Sequence, residues 1–223
     1  MKVNNHPLLK KMSIESLEKL NVQMEEVQLQ RGQSLFFQAE VADYVYYVNH
    51  GMVKVVRVSE TGQEKILSLY TTGQFLALST LFNPPHLFPA TAVAINRARV
   101  MKLPRQVLEE GVLSTKEATY EWFRYLNRRL EGIQQLATDQ VFMGAEERLK
   151  KWLFNLLKQE TQGSDGWIEV IVPISRQEIA DLLGIRRETL SRLLKDLRHL
   201  GFVDVQGRTF KVSRLWLAND LKN

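Results

Sequence analysis

Residues 174–200 carry two consecutive series of apolar side chains with the period of an α-helix. Ser175 and Glu178 have the S-x-x-E spacing of a capping box, in which each side chain satisfies a free backbone N–H group at a helix start. The first series ends at Gly184, and glycine readily takes the left-handed conformation that terminates helices. The pattern predicts a helix, a glycine turn and a second helix.

The second predicted helix has two different faces. Its polar face spans about 140° and consists of Arg187, Glu188, Ser191, Arg192 and Lys195. The opposite face is apolar and consists of Leu190, Leu193, Leu194 and Leu197. One face is therefore expected to pack, whereas the other can contact a partner.

The polar face has the chemistry of a surface that reads base edges. Arginine can donate two parallel hydrogen bonds to guanine, glutamate can accept one from cytosine, and serine is a short adaptable partner. A charged helical face can equally be merely solvated, but the next segment favours contact with DNA. Residues 202–205 and 209–212 are rich in β-formers around Gln206-Gly207, which predicts a hairpin. The four elements together form a winged helix-turn-helix.

The N-terminal half has a different pattern. Residues 13–20 have apolar side chains at helical spacing, which predicts a short amphipathic helix. Short β-rich runs follow at residues 34–37, 44–48, 52–58, 64–70, 90–95 and 98–103. Turn signals such as Thr61-Gly62 and Thr72-Gly73 separate them. Many short strands joined by glycine turns predict a small barrel or sandwich.

A long helix is predicted between these strands and the C-terminal motif. Pro104 favours a first helix over residues 105–112, because its missing N–H group is not needed in a first turn. Ser114 and Glu117 repeat the capping-box spacing, and a helical pattern then runs to about residue 143. Its apolar residues recur in steps of three or four, as in the seam between two packed helices: Leu126, Leu130, Ile133, Ala137 and Val141. The alternative is a helix packed only on its own domain, but a helix of about 40 Å is longer than one small domain covers, so this seam is predicted to be a dimer interface.

Glycines mark the limits of the long helix. Gly132 lies inside the seam, where it either allows close helix approach or provides a flexible point. Gly144 ends the helix, a further helix is predicted over residues 145–158, and the hinge is placed at residues 142–145. A polar surface turn at residues 160–165 and a strand at residues 167–172 precede the helix-turn-helix. The predicted domains are residues 1–112, 113–143 and 144–223.

The positive charge of the chain is concentrated near its C-terminal end. Of a net charge of +5 on 223 residues, most comes from residues 173–214, which hold nine Lys or Arg and five Asp or Glu. Such a cluster is typical of nucleic-acid-binding modules. Cysteine is absent, which excludes disulfides and cysteine-ligated iron–sulfur clusters. No apolar run has the length of a signal peptide or a membrane helix, so the sequence predicts a cytoplasmic protein without membrane contact.

The segment ISRQEIADLLGIRRETLSRLLKDL resembles the helix-turn-helix of the Crp/Fnr transcription factors, the family of the cyclic-AMP receptor protein and the fumarate-nitrate regulator. S-R-Q-E-I-A, the glycine turn, R-E-T, S-R and the hairpin occur in order, and the resemblance covers nearly the whole chain. It implies an α+β fold: an N-terminal double-stranded β-roll similar to cyclic-nucleotide-binding domains, a long dimerisation helix and a C-terminal winged helix-turn-helix. It further implies a homodimeric transcription regulator that binds a palindromic site in double-stranded DNA. In relatives a loop comparable to residues 160–165 meets RNA polymerase.

The resemblance also assigns roles within the helix-turn-helix. The residues that would read bases are Arg187, Glu188, Ser191 and Arg192. The residues that would hold phosphates are Ser175, Arg176, Gln177, Arg186, Thr189 and Lys195. Arg186 departs from the cyclic-AMP branch, which has a hydroxyl residue there; because arginine is a poor N-cap, either the helix start is weaker or Arg186 adds a phosphate contact. The half-site implied is TGTGA-like, or TTGA-like through Ser191.

Cyclic AMP, which some relatives bind in the β-roll, is not expected to be the effector of this chain. Ala77-Leu78 stands where relatives have a Gly-Glu pair for the ribose, and Phe88-Pro89 where they have Arg-Ser for the phosphate. Without a positive group, a partly buried phosphate would lack its counter-charge. The apolar residues there form either a pocket for a different effector or a self-filled core, which is the commoner outcome: Leu76, Leu78, Phe82 and Phe88.

The sequence shows no pattern of catalytic or metal-ligating residues. The four histidines are far apart and form no metal-binding motif. His86 could ligate haem as in gas-sensing family members, but an ordinary loop histidine is the favoured interpretation, and no cofactor is expected. The alternative to a transcription regulator is a ligand-binding or enzymatic β-roll whose C-terminal domain serves only for oligomerisation.

Overall fold

The computed structural model describes residues 6–59, 64–157 and 166–218. It divides the chain into two compact units, Met1–Gly132 and Ile133–Asn223. The boundary lies inside the long helix, whereas the sequence places domain boundaries after residues 112 and 143. The predicted turns at Thr61-Gly62 and at residues 160–165 lie outside the described residues.

The first unit contains two four-stranded antiparallel sheets, with strand orders β1-β8-β3-β6 and β2-β7-β4-β5. The strands are β1 (Glu25–Leu29), β2 (Ser34–Phe36), β3 (Tyr44–His50), β4 (Met52–Val58), β5 (Glu64–Thr71), β6 (Phe75–Leu76), β7 (Thr91–Ala94) and β8 (Ala98–Pro104). The six predicted strands are confirmed. Strands β1 and β6 were not predicted, because β1 is mostly polar and exposed and β6 has only two residues.

Two hydrophobic cores occupy opposite sides of β3, whose successive side chains point to opposite faces. Tyr46 and Val48 contribute to the core that draws on both sheets. Val45 and Tyr47 contribute to a second core with residues of α1 (Ile14–Gln23), α2 (Arg105–Leu113) and the start of α3 (Lys116–Phe142). Both short helices were predicted, and Ser13 caps α1 by accepting a hydrogen bond from the Ser16 amide.

The long helix α3 begins differently from the prediction. Ser114 keeps helical dihedral angles at the end of α2, and its hydroxyl donates to the carbonyl of Gly111 at 2.7 Å. The cap of α3 is instead Thr115, whose hydroxyl accepts from the Ala118 amide at 3.0 Å and donates to the Lys11 carbonyl at 2.6 Å. The predicted capping box at Ser114 and Glu117 is therefore wrong.

The second unit contains the end of α3 and a small winged domain. Its further elements are α4 (Ala145–Leu157), β9 (Trp167–Ile171), α5 (Arg176–Leu183), α6 (Arg187–His199), β10 (Val203–Gln206), β11 (Thr209–Ser213) and α7 (Arg214–Ala218). The strands form an antiparallel sheet in the order β10-β11-β9. Gln206 pairs with Thr209, so the hairpin loop is Gly207-Arg208 and not Gln206-Gly207. Gly207 has a φ of 60°, as the first loop position of a tight hairpin requires.

Candidate nucleic-acid interface

Helix α5 begins with the predicted capping box. The Glu178 amide donates to the Ser175 hydroxyl at 3.2 Å, and the Ser175 amide donates to the Glu178 carboxylate at 2.7 Å. Gly184 ends the helix with a φ of 64°, and its amide donates to the carbonyls of Ala180 and Asp181. These bonds satisfy groups that the helix ends leave without intrahelical partners, and they fix the tight turn into α6.

Helix α6 is anchored by one face and free on the other. Leu190, Leu194 and Leu197 are buried, and Leu193 is half-buried. Arg187, Glu188, Arg192 and Lys195 are exposed, while Ser191 and Thr189 are half-buried. Among the described residues, no hydrogen bond or ion pair engages the side chains of these six. The structure therefore brings the predicted base-reading residues together on one surface.

A helix with such a face can enter a DNA groove. An α-helix with its side chains is about 10–12 Å across, and the major groove of B-DNA, about 12 Å wide, admits one. Arg186 precedes the helix with extended dihedral angles and forms no side-chain cap. The start of α6 thus lacks a capping side chain, and the exposed guanidinium of Arg186 stays beside the polar face.

The predicted phosphate contacts at α5 lie at a helix N-terminus, where backbone N–H groups and the helix dipole favour anions. Ser175, Arg176 and Gln177 are exposed there. The Gln177 side-chain amide donates to the Asp181 carboxylate at 2.9 Å, which leaves it one further N–H group. Arg176 forms no ion pair with the part of the chain that the structure describes.

One exposed cation of the winged domain was not predicted. Arg208 occupies the second position of the hairpin loop and has no ion-pair partner within the described residues. By contrast, Arg198 is paired with Asp204 at 3.1 Å and Lys211 with Glu169 at 2.7 Å. Correct placement of the loop at Gly207-Arg208 would have revealed an arginine at the tip of the wing.

The predicted dimer seam is mostly exposed along α3. Leu130 is 54% exposed and Ile133 57%, and Ala137 and Val141 are exposed as well. Leu126 is half-buried and packs against the core of α1 and α2. The prediction missed Phe123, which is 60% exposed and lies seven residues before Leu130, at the spacing that continues the seam.

The four residues of the predicted effector pocket do not lie together. Leu76 and Phe88 belong to the core drawn from both sheets, where the Phe88 ring stacks on Phe36 at 3.9 Å. Leu78 belongs to the other core, and Phe82 is 45% exposed. Ala77 separates Leu76 from Leu78 with a left-handed φ of 62°, which turns the chain between the two cores.

His86 is built into a loop of the first unit. Its Nδ1 atom lies 2.7 Å from the carbonyl oxygen of Thr80, and its own carbonyl accepts from the Ala42 amide at 2.7 Å. Among the described residues, no group of three or more His, Asp or Glu side chains is placed to hold a metal ion. No helix within those residues is long and apolar enough to span a membrane.

Two family models match the chain in succession. The cyclic nucleotide-binding domain matches residues 26–114, and the Crp-like helix-turn-helix domain matches residues 147–215. The chain is 27% identical over 195 residues to the CRP-like cAMP-activated global transcriptional regulator of Mycobacterium tuberculosis, covering 87% of this chain and 86% of that protein. It is 24% identical to the transcriptional activator protein FnrA of Stutzerimonas stutzeri, covering 82% of this chain and 75% of FnrA.

The fold also matches solved structures. FixK2 from Bradyrhizobium japonicum superposes with a TM-score of 0.74 at 23% identity, covering 88% of this chain and 96% of FixK2. FixK2 therefore shares the fold of this chain over most of its length. The chain belongs to the Crp/Fnr family of transcription regulators.

Proposed function

We propose that the protein binds a palindromic DNA site as a homodimer, with α6 of each protomer in a major groove. The observation that carries this proposal is the polar face of α6, where exposed Arg187, Glu188 and Arg192 have no partner among the described residues. Buried Leu190 and Leu194 hold the opposite face, so the helix can present these side chains without rearrangement. Arginine suits guanine and glutamate suits cytosine in such a groove.

The exposed apolar stripe of α3 supports the homodimer. Phe123, Leu130, Ile133 and Val141 lie at coiled-coil spacing, and a second copy of the helix would bury them. Two-fold symmetry would then place the two α6 helices about 34 Å apart, one turn of B-DNA. Half-sites of the TGTGA or TTGA type are the first candidates.

Fluorescence anisotropy with a labelled palindrome and a scrambled duplex of equal length tests this proposal. We expect the palindrome to bind about 10³-fold more tightly or better at the same salt concentration. Cell extract added in a parallel titration reveals whether an effector raises that ratio. Equal affinity for both duplexes in every condition would contradict sequence-specific binding and favour a C-terminal domain that serves only for oligomerisation.

Base-reading and phosphate-binding arginines should differ in their effects. Replacing Arg192 with alanine should cost about 1–3 kcal/mol on the palindrome and little on the scrambled duplex. Replacing Arg176 with alanine should weaken both duplexes and reduce the slope of log K against log salt by roughly one. Equal losses for Arg192→Ala on both duplexes would assign Arg192 to phosphate, and an unchanged slope for Arg176→Ala would remove it from the phosphate contacts.

We further propose that cyclic AMP is not the effector. Phe88 stands where relatives have the phosphate-binding arginine, and its ring is buried against Phe36. A ligand at about 100 times its Kd stabilises a protein by about 2.7 kcal/mol, which raises Tm by several degrees. Millimolar cyclic AMP is expected to leave both Tm and DNA affinity unchanged. A saturable increase in Tm or in DNA affinity would contradict this proposal and indicate that the β-roll binds cyclic AMP.

A further inference from the structure

The last turns of α3 carry a buried carboxylate on an otherwise exposed segment. Asp139 is only 6% exposed, whereas its neighbours from Gln135 to Val141 are exposed. One carboxylate oxygen accepts from the Gln135 side-chain amide at 2.8 Å, and the other accepts from the Lys151 ammonium of α4 at 2.5 Å. Burial raises the pKa of Asp139, but the hydrogen bonds from Lys151 and Gln135 and the charge of Lys151 outweigh it and lower the pKa below its ordinary value of 3.8. Asp139 is therefore ionised at neutral pH and joins α3 to α4.

The next residue joins the same segment to the helix-turn-helix. The Gln140 carbonyl accepts from the Arg148 guanidinium of α4 at 2.8 Å. The Gln140 side chain lies against the turn between α5 and α6. A Cβ atom added to Gly184 in that turn would be 3.4 Å from the Gln140 Nε2 atom. Helix α4 in turn packs on both α5 and α6. The end of α3 is thus connected to α6 by two routes inside the second unit, one through α4 and one through the contact of Gln140 with the turn before α6.

The turn between α3 and α4 is also held by its own polar contacts. The Gly144 amide donates to the Glu147 carboxylate at 2.6 Å, and the Arg148 amide donates to the Gly144 carbonyl at 3.1 Å. The sequence places a hinge at residues 142–145, but these bonds and the Asp139–Lys151 pair tie that turn to α4. Residues from Ile133 onward accordingly cluster with the winged domain.

We propose that Asp139 and Gln140 are positioning residues that fix the direction of α6 relative to the end of α3, and so set the half-site spacing that the dimer accepts. The inference rests on the proposed function, because spacing matters only if two protomers bind one palindrome. When α3 helices pair, a fixed joint holds the second α6 over its half-site, which keeps its effective concentration there high. If the contacts of Asp139 and Gln140 are lost, the second α6 can adopt many orientations, and its effective concentration at the half-site falls.

The test compares three DNA duplexes: the palindrome, the palindrome with one inserted base pair between the half-sites, and a single half-site. Asp139→Asn and Gln140→Ala should weaken binding to the palindrome by about tenfold and leave single half-site binding within about twofold. The penalty for the inserted base pair should shrink in both variants. Glu131→Gln is the matched control, since it removes the same charge from an exposed position of α3 and should behave as the wild type.

A double-mutant cycle shows whether Asp139 acts through Lys151. The variant with both Asp139→Asn and Lys151→Gln should lose no more affinity than the worse single variant, because each removes the same pair. An unchanged insertion penalty in Asp139→Asn and Gln140→Ala would overturn the inference, and so would equal losses on the palindrome and the single half-site. If the wild-type protein bound the palindrome no more tightly than the scrambled duplex, that result would instead refute the proposed function itself.

Discussion

Aspartate at both Leu130 and Ile133 is expected to make the protein monomeric and to weaken its binding to the palindrome by about 10²- to 10⁴-fold. Both side chains are exposed on α3 in the single chain, and the proposed dimer would bury them. Four unpaired carboxylates would then lie in one apolar seam, where burial of uncompensated charge is costly. Sedimentation equilibrium measures the oligomeric state, and anisotropy measures the DNA affinity of the same samples.

The control for this experiment makes a similar substitution away from the seam. Leu113 is an exposed leucine at the end of α2, so Leu113→Asp adds the same kind of charge without touching α3. This variant should stay dimeric and bind the palindrome as the wild type does. A Leu130→Asp/Ile133→Asp protein that remains dimeric would place the dimer interface elsewhere. Affinity for a single half-site should be preserved, since the polar face of α6 is unchanged.

Features that depend on neighbouring residues were predictable from the sequence. The capping box at Ser175, the left-handed Gly184 and the two faces of α6 follow from spacing within a few residues, and the structure confirms these predictions. The same S-x-x-E pattern failed at Ser114 because Ser114 still belongs to the last turn of α2. Thr115 also makes a hydrogen bond to Lys11, more than a hundred residues away, which no local pattern contains.

The distribution of apolar residues between two cores was not predictable in the same way. Leu76 and Leu78 read as one apolar run, yet they enter different cores. Strands β3 and β6 are buried on both faces, so the period of two gives no polar side to identify. The left-handed turn at Ala77 then redirects the chain without the glycine that usually signals such a conformation.

The contacts that join the end of α3 to the winged domain also escaped the sequence. Asp139 and Lys151 are twelve residues apart on different helices, and each looks like an ordinary surface charge along its own helix. Their pairing depends on the angle at which α4 leaves α3. The turn at residues 142–145, where the sequence places a hinge, is therefore flanked by hydrogen bonds from Glu147 and Arg148 of α4.

Replacing Leu190 with alanine is expected to lower the unfolding free energy of the winged unit by about 2–5 kcal/mol. Leu190 is fully buried on the face of α6 opposite to the arginines, and its truncation leaves a cavity among the leucines. Alanine is the best helix former, so the loss cannot come from helix propensity. Urea unfolding followed by circular dichroism and tryptophan fluorescence measures it, since three of the four tryptophans, Trp152, Trp167 and Trp216, lie in this unit.

Arg187→Ala on the same helix should affect DNA affinity and leave stability nearly unchanged. Its side chain is exposed and without a partner in the described part of the chain, so stability should change by no more than about 0.5 kcal/mol. Its binding free energy for the palindrome should nevertheless weaken by about 1–3 kcal/mol, because the base contact proposed for Arg187 would be lost. Leu190→Ala should bind the palindrome normally under conditions in which it remains folded. If Arg187→Ala destabilised the unit while Leu190→Ala altered only DNA affinity, the two faces of α6 would have to exchange roles.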